Sequence, residues 1–204
     1  MLQDFGDALR IHHCFSVEPF RKDRFEYVLQ RVATLCGKEA ELAPAGNPGY
    51  DMIIEEKHFS LKTQADKGIR VNELYISKFM ELGQGRWRDN PEDLIGLREQ
   101  FLAHLESYER ILSLIALEKG PKQWKYELVE IPKSLLQEAS TGQLKMRLSS
   151  RQMPKPGYCY VRGTEGEKFQ LYFDGGTERK LQVKRLMKKF CIVHAEWTFT
   201  TIEL

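Results

Sequence analysis

Apolar positions recur every three to four residues over residues 23–35, where Phe25, Val28, Leu29, Val32 and Leu35 form one stripe. That spacing predicts a helix, stopped by Gly37. The Pro and Gly content of residues 43–49 predicts a loop. Residues 50–54 and 58–64 read as two strands about a two-residue turn at Glu56-Lys57. Residues 72–82 predict a helix closed by Gly83, a polar loop follows over 83–91, and residues 92–106 predict another amphipathic helix. Residues 110–117 and 124–131 are apolar enough for central strands, and Pro132 opens a short helix over 132–139. Strands are then expected at 158–161, 169–173, 181–183 and 191–199. The pattern is mixed α and β, with a β-rich C-terminal part and no internal repeat. His12-His13-Cys14 reads as a polar segment ahead of the first helix rather than as a metal site.

Composition narrows the class. With 204 residues, 42% hydrophobic and 29% charged, one domain spanning 1–204 is the expected organisation. No run is long and apolar enough to span a membrane, and the first residues lack a secretory pattern, so the cytoplasm is the expected compartment. The four cysteines form no CxxC pair, which argues against a zinc ribbon. Net charge is only +2, yet residues 143–189 hold 12 Lys or Arg against 4 Asp or Glu. A basic part beside a carboxylate-bearing part points to phosphate attraction in one and metal chemistry in the other.

The candidate chemistry lies in the hairpin over 50–64. With the turn at Glu56-Lys57, Asp51 would face Lys62 directly, and Ser60 and Gln64 would share their face. A carboxylate and an amine so placed, beside a Gly-rich loop, can hold Mg²⁺ and a water near a phosphate. The arrangement resembles the PD-(D/E)xK nucleases, in which an Asp opens one strand and an acidic-x-Lys triplet sits on the next. In that scheme Asp51 and the Leu61 carbonyl would ligate the metal, and Lys62 would orient or deprotonate the attacking water. A strand Asp facing a strand Lys is also what a simple cross-strand ion pair looks like. Ser60 stands where the second acid belongs, so that acid must come from elsewhere: Glu26 on the first helix is the first choice, with Glu73 and Glu81 as others.

Longer blocks carry a more specific resemblance. Asn47-Pro48-Gly49-x-Asp51, Leu61-Lys62-Thr63 and Ser77-Lys78-x-Met80-Glu81-Leu82-Gly83-x-Gly85-x-Trp87 are followed by Phe101-Leu102-x-His104-Leu105-Glu106-x-Tyr108-Glu109-Arg110-Ile111 and Val129-Glu130-Ile131-Pro132-Lys133-Ser134. Pro154-Lys155-Pro156-Gly157-Tyr158, Leu171-Tyr172-Phe173-Asp174-Gly175-Gly176 and Cys191-Ile192-Val193-His194-x-x-Trp197 complete the series. In this order they resemble the SmaI-type type II restriction endonucleases.

The resemblance implies a PD-(D/E)xK core with a central mixed sheet flanked by helices. It implies hydrolysis of both strands of duplex DNA at the palindrome CCCGGG, a blunt cut, Mg²⁺, a bacterial or archaeal cell and a companion DNA methyltransferase. A palindrome is most simply read by a homodimer. For a G·C site, Arg or Lys is expected on guanine and Asp or Glu on cytosine. Arg147, Arg151, Gln152 and Lys155, with Asp174, Arg179, Lys180 and Lys184, are the candidate DNA contacts. Arg179 is expected as a base reader, and Lys180 and Lys184 suit phosphates better. Two other readings remain open: a DNA-binding module without catalysis, kept alive by Ser60, and a repair or recombination nuclease on the same scaffold.

Overall fold

A computed structural model describes residues 1–66, 68–83, 87–120 and 123–200. Gly85, within one of the motif blocks, lies outside these residues. The elements are α1 (Leu2–His13), α2 (Lys22–Leu35), β1 (Ala40–Leu42), β2 (Met52–Ile54), β3 (Lys57–Gln64), β4 (Glu73–Glu81), α3 (Asp93–Leu105), β5 (Arg110–Lys119), β6 (Trp124–Glu130), α4 (Lys133–Gln137), β7 (Gln143–Met146), β8 (Gly157–Gly163), β9 (Gly166–Asp174), β10 (Lys180–Met187) and β11 (Ile192–Phe199). No helix among the described residues is long and apolar enough to cross a membrane. The class is mixed α and β, as the pattern predicts, and the chain forms two compact units.

The first unit takes Met1–Ile69, Ser107–Pro132 and the segment from Cys191 onward. Its sheet runs β1-β2-β3-β5-β6-β11, antiparallel except for the parallel β3/β5 pair. One face of this sheet, including Met52, Phe59, Leu61, Leu112, Leu114 and Leu128, clusters with Phe5, Leu9, Phe25, Leu29 and Val32 of α1 and α2. Of the predicted α2 stripe, Phe25, Leu29 and Val32 are buried and Val28 is partly buried, whereas Leu35 at the helix end is exposed.

The segment around His12 and His13 is not a polar lead-in but the last turn of α1. Phe5, Leu9 and His13 repeat every four residues and are all buried. His13 stacks on Trp124 at 3.6 Å, and its Nε2 lies 2.8 Å from the Tyr126 hydroxyl. Burial pushes its pKa down from 6.5 to about 4, outweighing its hydrogen bond to the Ser16 carbonyl. The unfolded chain therefore takes up this proton before the folded one does. Stability is expected to be full above pH 6.5 and to fall by about 1.4 kcal/mol per pH unit from there towards pH 4. Urea midpoints at pH 7 and pH 5 test this: His13→Asn should reduce the drop, and an unchanged drop would remove His13 as its source.

The hairpin forms where expected, but its turn is Glu55-Glu56 rather than Glu56-Lys57. Ile54 pairs with Lys57, Ile53 with His58 and Met52 with Phe59. Both turn residues are left-handed, with φ of 46° and 66°. Two-residue hairpins favour this geometry because it matches strand twist, although it suits Asn and Gly far better than Glu. Glu55→Asn with Glu56→Gly should therefore stabilise the chain by about 1–2 kcal/mol. An unchanged denaturation midpoint would contradict that strain.

The second unit takes Arg70–Glu106 and Lys133–Phe190. Its antiparallel sheet runs β4-β10-β9-β8-β7. Residues predicted as a helix over 72–82 form strand β4 instead. Leu74 and Ile76 alternate inward, then Ser77 and Lys78 are both exposed before Phe79 and Met80 are buried. The ladder slips here, with Ile76 opposite Val183 but Met80 opposite Leu181. Two extra residues turn a period of two into an apparent helical spacing. Glu73 and Glu81 accordingly project from a strand, paired with Arg70 at 3.1 Å and Lys78 at 2.6 Å.

Candidate active site

The loop before β2 sets the position of Asp51. Asn47 Oδ1 accepts the Gly49 N–H at 2.9 Å, a tight local turn. A Cβ on Gly49 would lie 3.1 Å from Ser107 Cβ, so glycine suits the close approach. The Asp51 N–H then donates to the Phe59 carbonyl at 2.8 Å, and since Phe59 is paired with Met52, Asp51 stands just beyond the last pair of the β2/β3 ladder. Its side chain meets the Ser60 hydroxyl, and the register is two residues away from the one that sets Asp51 opposite Lys62. The correction is a shift of two residues, which leaves side chains on the same face. Asp51, Ser60, Lys62 and Gln64 do share the face opposite the helical core.

The Asp51 carboxylate is held from two sides. Its Oδ2 accepts the Leu61 N–H at 2.5 Å and the Ser60 hydroxyl at 3.3 Å. Its Oδ1 accepts Lys22 Nζ at 2.6 Å, and the same ammonium lies 3.3 Å from Glu26 Oε1 one turn along α2. Asp51 and Glu26 thus converge on one positive charge. Burial alone would lower the Lys22 pKa, but the hydrogen bond and charge of Asp51, aided by Glu26, raise it above its ordinary value. Burial raises the Glu26 carboxyl, Lys22 draws it down, and the Asp51 charge adds to the rise.

Lys62 is almost enclosed, at 9% exposure. Burial lowers its pKa to about 8, opposed by the attraction of Asp51; Lys22 lowers it further and Glu26 raises it. An amine near this value can hold a proton at neutral pH and yield it readily. Ser60 and Gln64 flank it on the strand at 1% and 4% exposure.

Several neighbours were not evident in the sequence. Lys22 was signalled only by its i,i+4 spacing to Glu26. Tyr108 is fully buried, and burial together with the Asp51 charge holds its hydroxyl neutral, well above the usual phenol range. Ser113 lies opposite Lys62 across the parallel ladder, fully buried, with no hydrogen-bond partner for its Oγ among the described residues. Glu127 follows on the same face through the row Gln64–Ile115–Glu127 and is 2% exposed. Only the β3/β5/β6 register brings these residues together.

The donor set fits an oxygen-preferring divalent cation. Two carboxylates already enclose a positive charge, the Leu61 carbonyl lies between Ser60 and Lys62 in sequence, and Mg²⁺ typically takes one or two carboxylates and keeps several waters. Among the described residues no cluster of three or more His, Cys, Asp or Glu side chains is placed to hold a metal.

The candidate DNA contacts lie in the second unit. Asp174 accepts Gln152 Nε2 at 3.3 Å, Gln182 Nε2 at 3.1 Å and the Gly176 N–H at 3.0 Å, so it organises two amides. Lys180 pairs with Glu178 at 2.9 Å, and Lys155 Nζ donates to the Ser150 carbonyl at 2.6 Å. Lys184 Nζ sits 3.7 Å above the Tyr172 ring. Arg179, at φ 42°, makes no ion pair among the described residues, and Arg147 and Arg151 are exposed.

The fold thus brings Asp51, just ahead of β2, the desolvated Lys62 of β3 and Glu26 of α2 to one place, with serine at position 60. Residues 1–199 match the SmaI family of type II site-specific deoxyribonucleases. The chain is also 45% identical over 197 residues to the type II restriction enzyme SmaI of Serratia marcescens, covering 96% of this chain and 78% of that protein. The chain belongs to the SmaI family of type II restriction endonucleases. No solved structure matches it.

Proposed function

We propose that the protein cuts both strands of duplex DNA at CCCGGG, leaving blunt ends, with Mg²⁺ as cofactor. The observation that carries the mechanism is the convergence of Asp51 and Glu26 on a single cation position beside the desolvated Lys62. The likeness to SmaI carries the choice of site. Asp51, Glu26 and the Leu61 carbonyl would hold the ion. When bound, Mg²⁺ supplies Lewis-acid polarisation of the phosphate and acidifies water.

The remaining work falls to the chain. Lys22 would have to give up its contacts with Asp51 and Glu26 for these carboxylates to hold an ion. In its neutral form Lys62 holds a water in line with the scissile P–O bond and takes its proton. The water oxygen bonds to phosphorus while the bond to the leaving sugar oxygen breaks, and that oxygen takes a proton from solvent. Ser60 and the Leu61 N–H keep the Asp51 carboxylate oriented throughout, and Gln64 supports the same face.

Arg147, Arg151, Gln152, Lys155, Asp174, Arg179, Lys180 and Lys184 are the proposed contacts to DNA. Arg179 is the proposed guanine reader, since its planar fork matches O6 and N7. Asp174 acts through the amides of Gln152 and Gln182. A homodimer would place one such set on each half-site, and a companion methyltransferase would protect the host DNA in a bacterial or archaeal cytoplasm.

Digestion of a plasmid of known sequence, with Mg²⁺ or EDTA, tests the reading. Fragments ending at the centre of CCCGGG, formed only with Mg²⁺, are expected. Intact plasmid would favour a binding module, and cleavage confined to branched or mismatched DNA would favour a repair nuclease.

A further inference from the structure

Strand β10 departs from regular alternation at one place. Leu181 and Val183 are buried, Gln182 and Lys184 share the other face, and position 185 is therefore due back in the core. Leu186 is buried in its stead, and Arg185 is exposed. The register records one extra residue: Val183 faces Ile76, but Leu186 faces Leu74. Arg185 sits in the left-handed region at φ 50°. Bulges of this form favour glycine there, so arginine is held at a conformational cost. Backbone strain at an outward-facing arginine points to a use for the side chain.

Arg185 lines an open groove of about 680 Å³ with Lys145, Arg147, Tyr158, Tyr160 and Arg162. Among the described residues Glu167 is the sole carboxylate on its walls; it accepts Gln170 Nε2 at 2.8 Å and lies 3.6 Å from Arg185. Among the described residues Lys145, Arg147 and Arg162 have no ion-pair partner. The tyrosine faces are already engaged. Tyr158 and Tyr160 stack at 5.4 Å, Tyr172 packs on Tyr158 at 4.8 Å, and Arg162 and Lys184 lie over Tyr160 and Tyr172. The groove thus offers guanidinium, ammonium and phenol donors rather than open rings for stacking bases. That chemistry suits phosphate oxygens.

We propose that this groove grips the sugar–phosphate backbone of duplex DNA outside the bases that are read, and that the β10 bulge serves to aim Arg185 at a phosphate. The proposal rests on the DNA reading given above and adds to it a sequence-independent clamp with Arg162 and Arg185 as its main contacts.

The test is equilibrium binding of wild type, Arg162→Gln and Arg185→Gly to a CCCGGG duplex, a scrambled duplex of equal length and the corresponding single strand, over a salt series with Ca²⁺ in place of Mg²⁺. Each variant should lose affinity by the same factor on both duplexes and lower the slope of log K against log salt by about 0.9 per lost contact. Arg185→Gly should also raise the thermal midpoint, which separates loss of a contact from loss of the fold. Unchanged binding by both variants, a loss confined to the cognate duplex, or tighter binding to single strand than to duplex would overturn the groove assignment. So would a lowered thermal midpoint for Arg185→Gly. Wild type that binds no duplex would overturn the DNA reading itself.

Discussion

Lys62→Met should slow single-turnover cleavage by about 10²–10⁴-fold while leaving DNA affinity nearly unchanged. Methionine fills the same enclosed space, so the strand packing is kept and only the amine is lost. The size of the effect follows from the proposed role in proton transfer and water placement, which are needed in the transition state and not in binding. A factor of 10² is about 2.7 kcal/mol of barrier, well above what a mispositioned surface group contributes. Lys62→Arg should not rescue the rate, because a guanidinium keeps its proton even when desolvated. Cleavage within about tenfold of wild type in either variant would remove the hairpin amine from the chemistry.

The second large effect concerns the carboxylates. Asp51→Asn should lower affinity for Mn²⁺ or Mg²⁺, measured by calorimetry without DNA, by about tenfold or more, since it removes one of two charges facing the cation. Glu26→Gln should also weaken binding, and Glu81→Gln should not: Glu81 is an exposed strand residue paired with Lys78. Lys22→Met should act in the opposite direction. Its ammonium occupies the point on which Asp51 and Glu26 converge, and removing that charge should tighten the ion by roughly fivefold, about 1 kcal/mol. Equal affinities in Asp51→Asn and wild type would move the metal elsewhere. Weaker binding in Lys22→Met would mean that the ammonium supports the site and does not compete for it.

The legibility of these features in the sequence follows from how local each one is. The α2 stripe and the apolar runs of β5 and β6 depend on their own residues and were readable. So was the shared face of Asp51, Ser60, Lys62 and Gln64, because a two-residue error in register leaves strand faces unchanged. The turn is not legible, because Glu55-Glu56 carries none of the Asn or Gly that marks such a turn. Strand β4 passed for a helix because its bulge spaces Ile76 and Met80 by four. Helix α1 is not legible, because its stripe is only Phe5, Leu9 and His13, the last a histidine buried by aromatic stacking. Glu26 was reachable through the rule that helices cover such hairpins. Ser113 and Glu127 were not, since they join Lys62 and Gln64 only through ladders between strands about 50 and 60 residues apart in the chain.

Single-turnover cleavage of a short end-labelled duplex containing one CCCGGG, with Mg²⁺, by wild type and by Asp51→Asn, tests the site and the chemistry together. Wild type should convert both strands to products ending at the central C–G step, and Asp51→Asn should bind the duplex yet leave it intact. Cleavage by Asp51→Asn at the wild-type rate, or wild-type products that map away from the palindrome, would contradict the account.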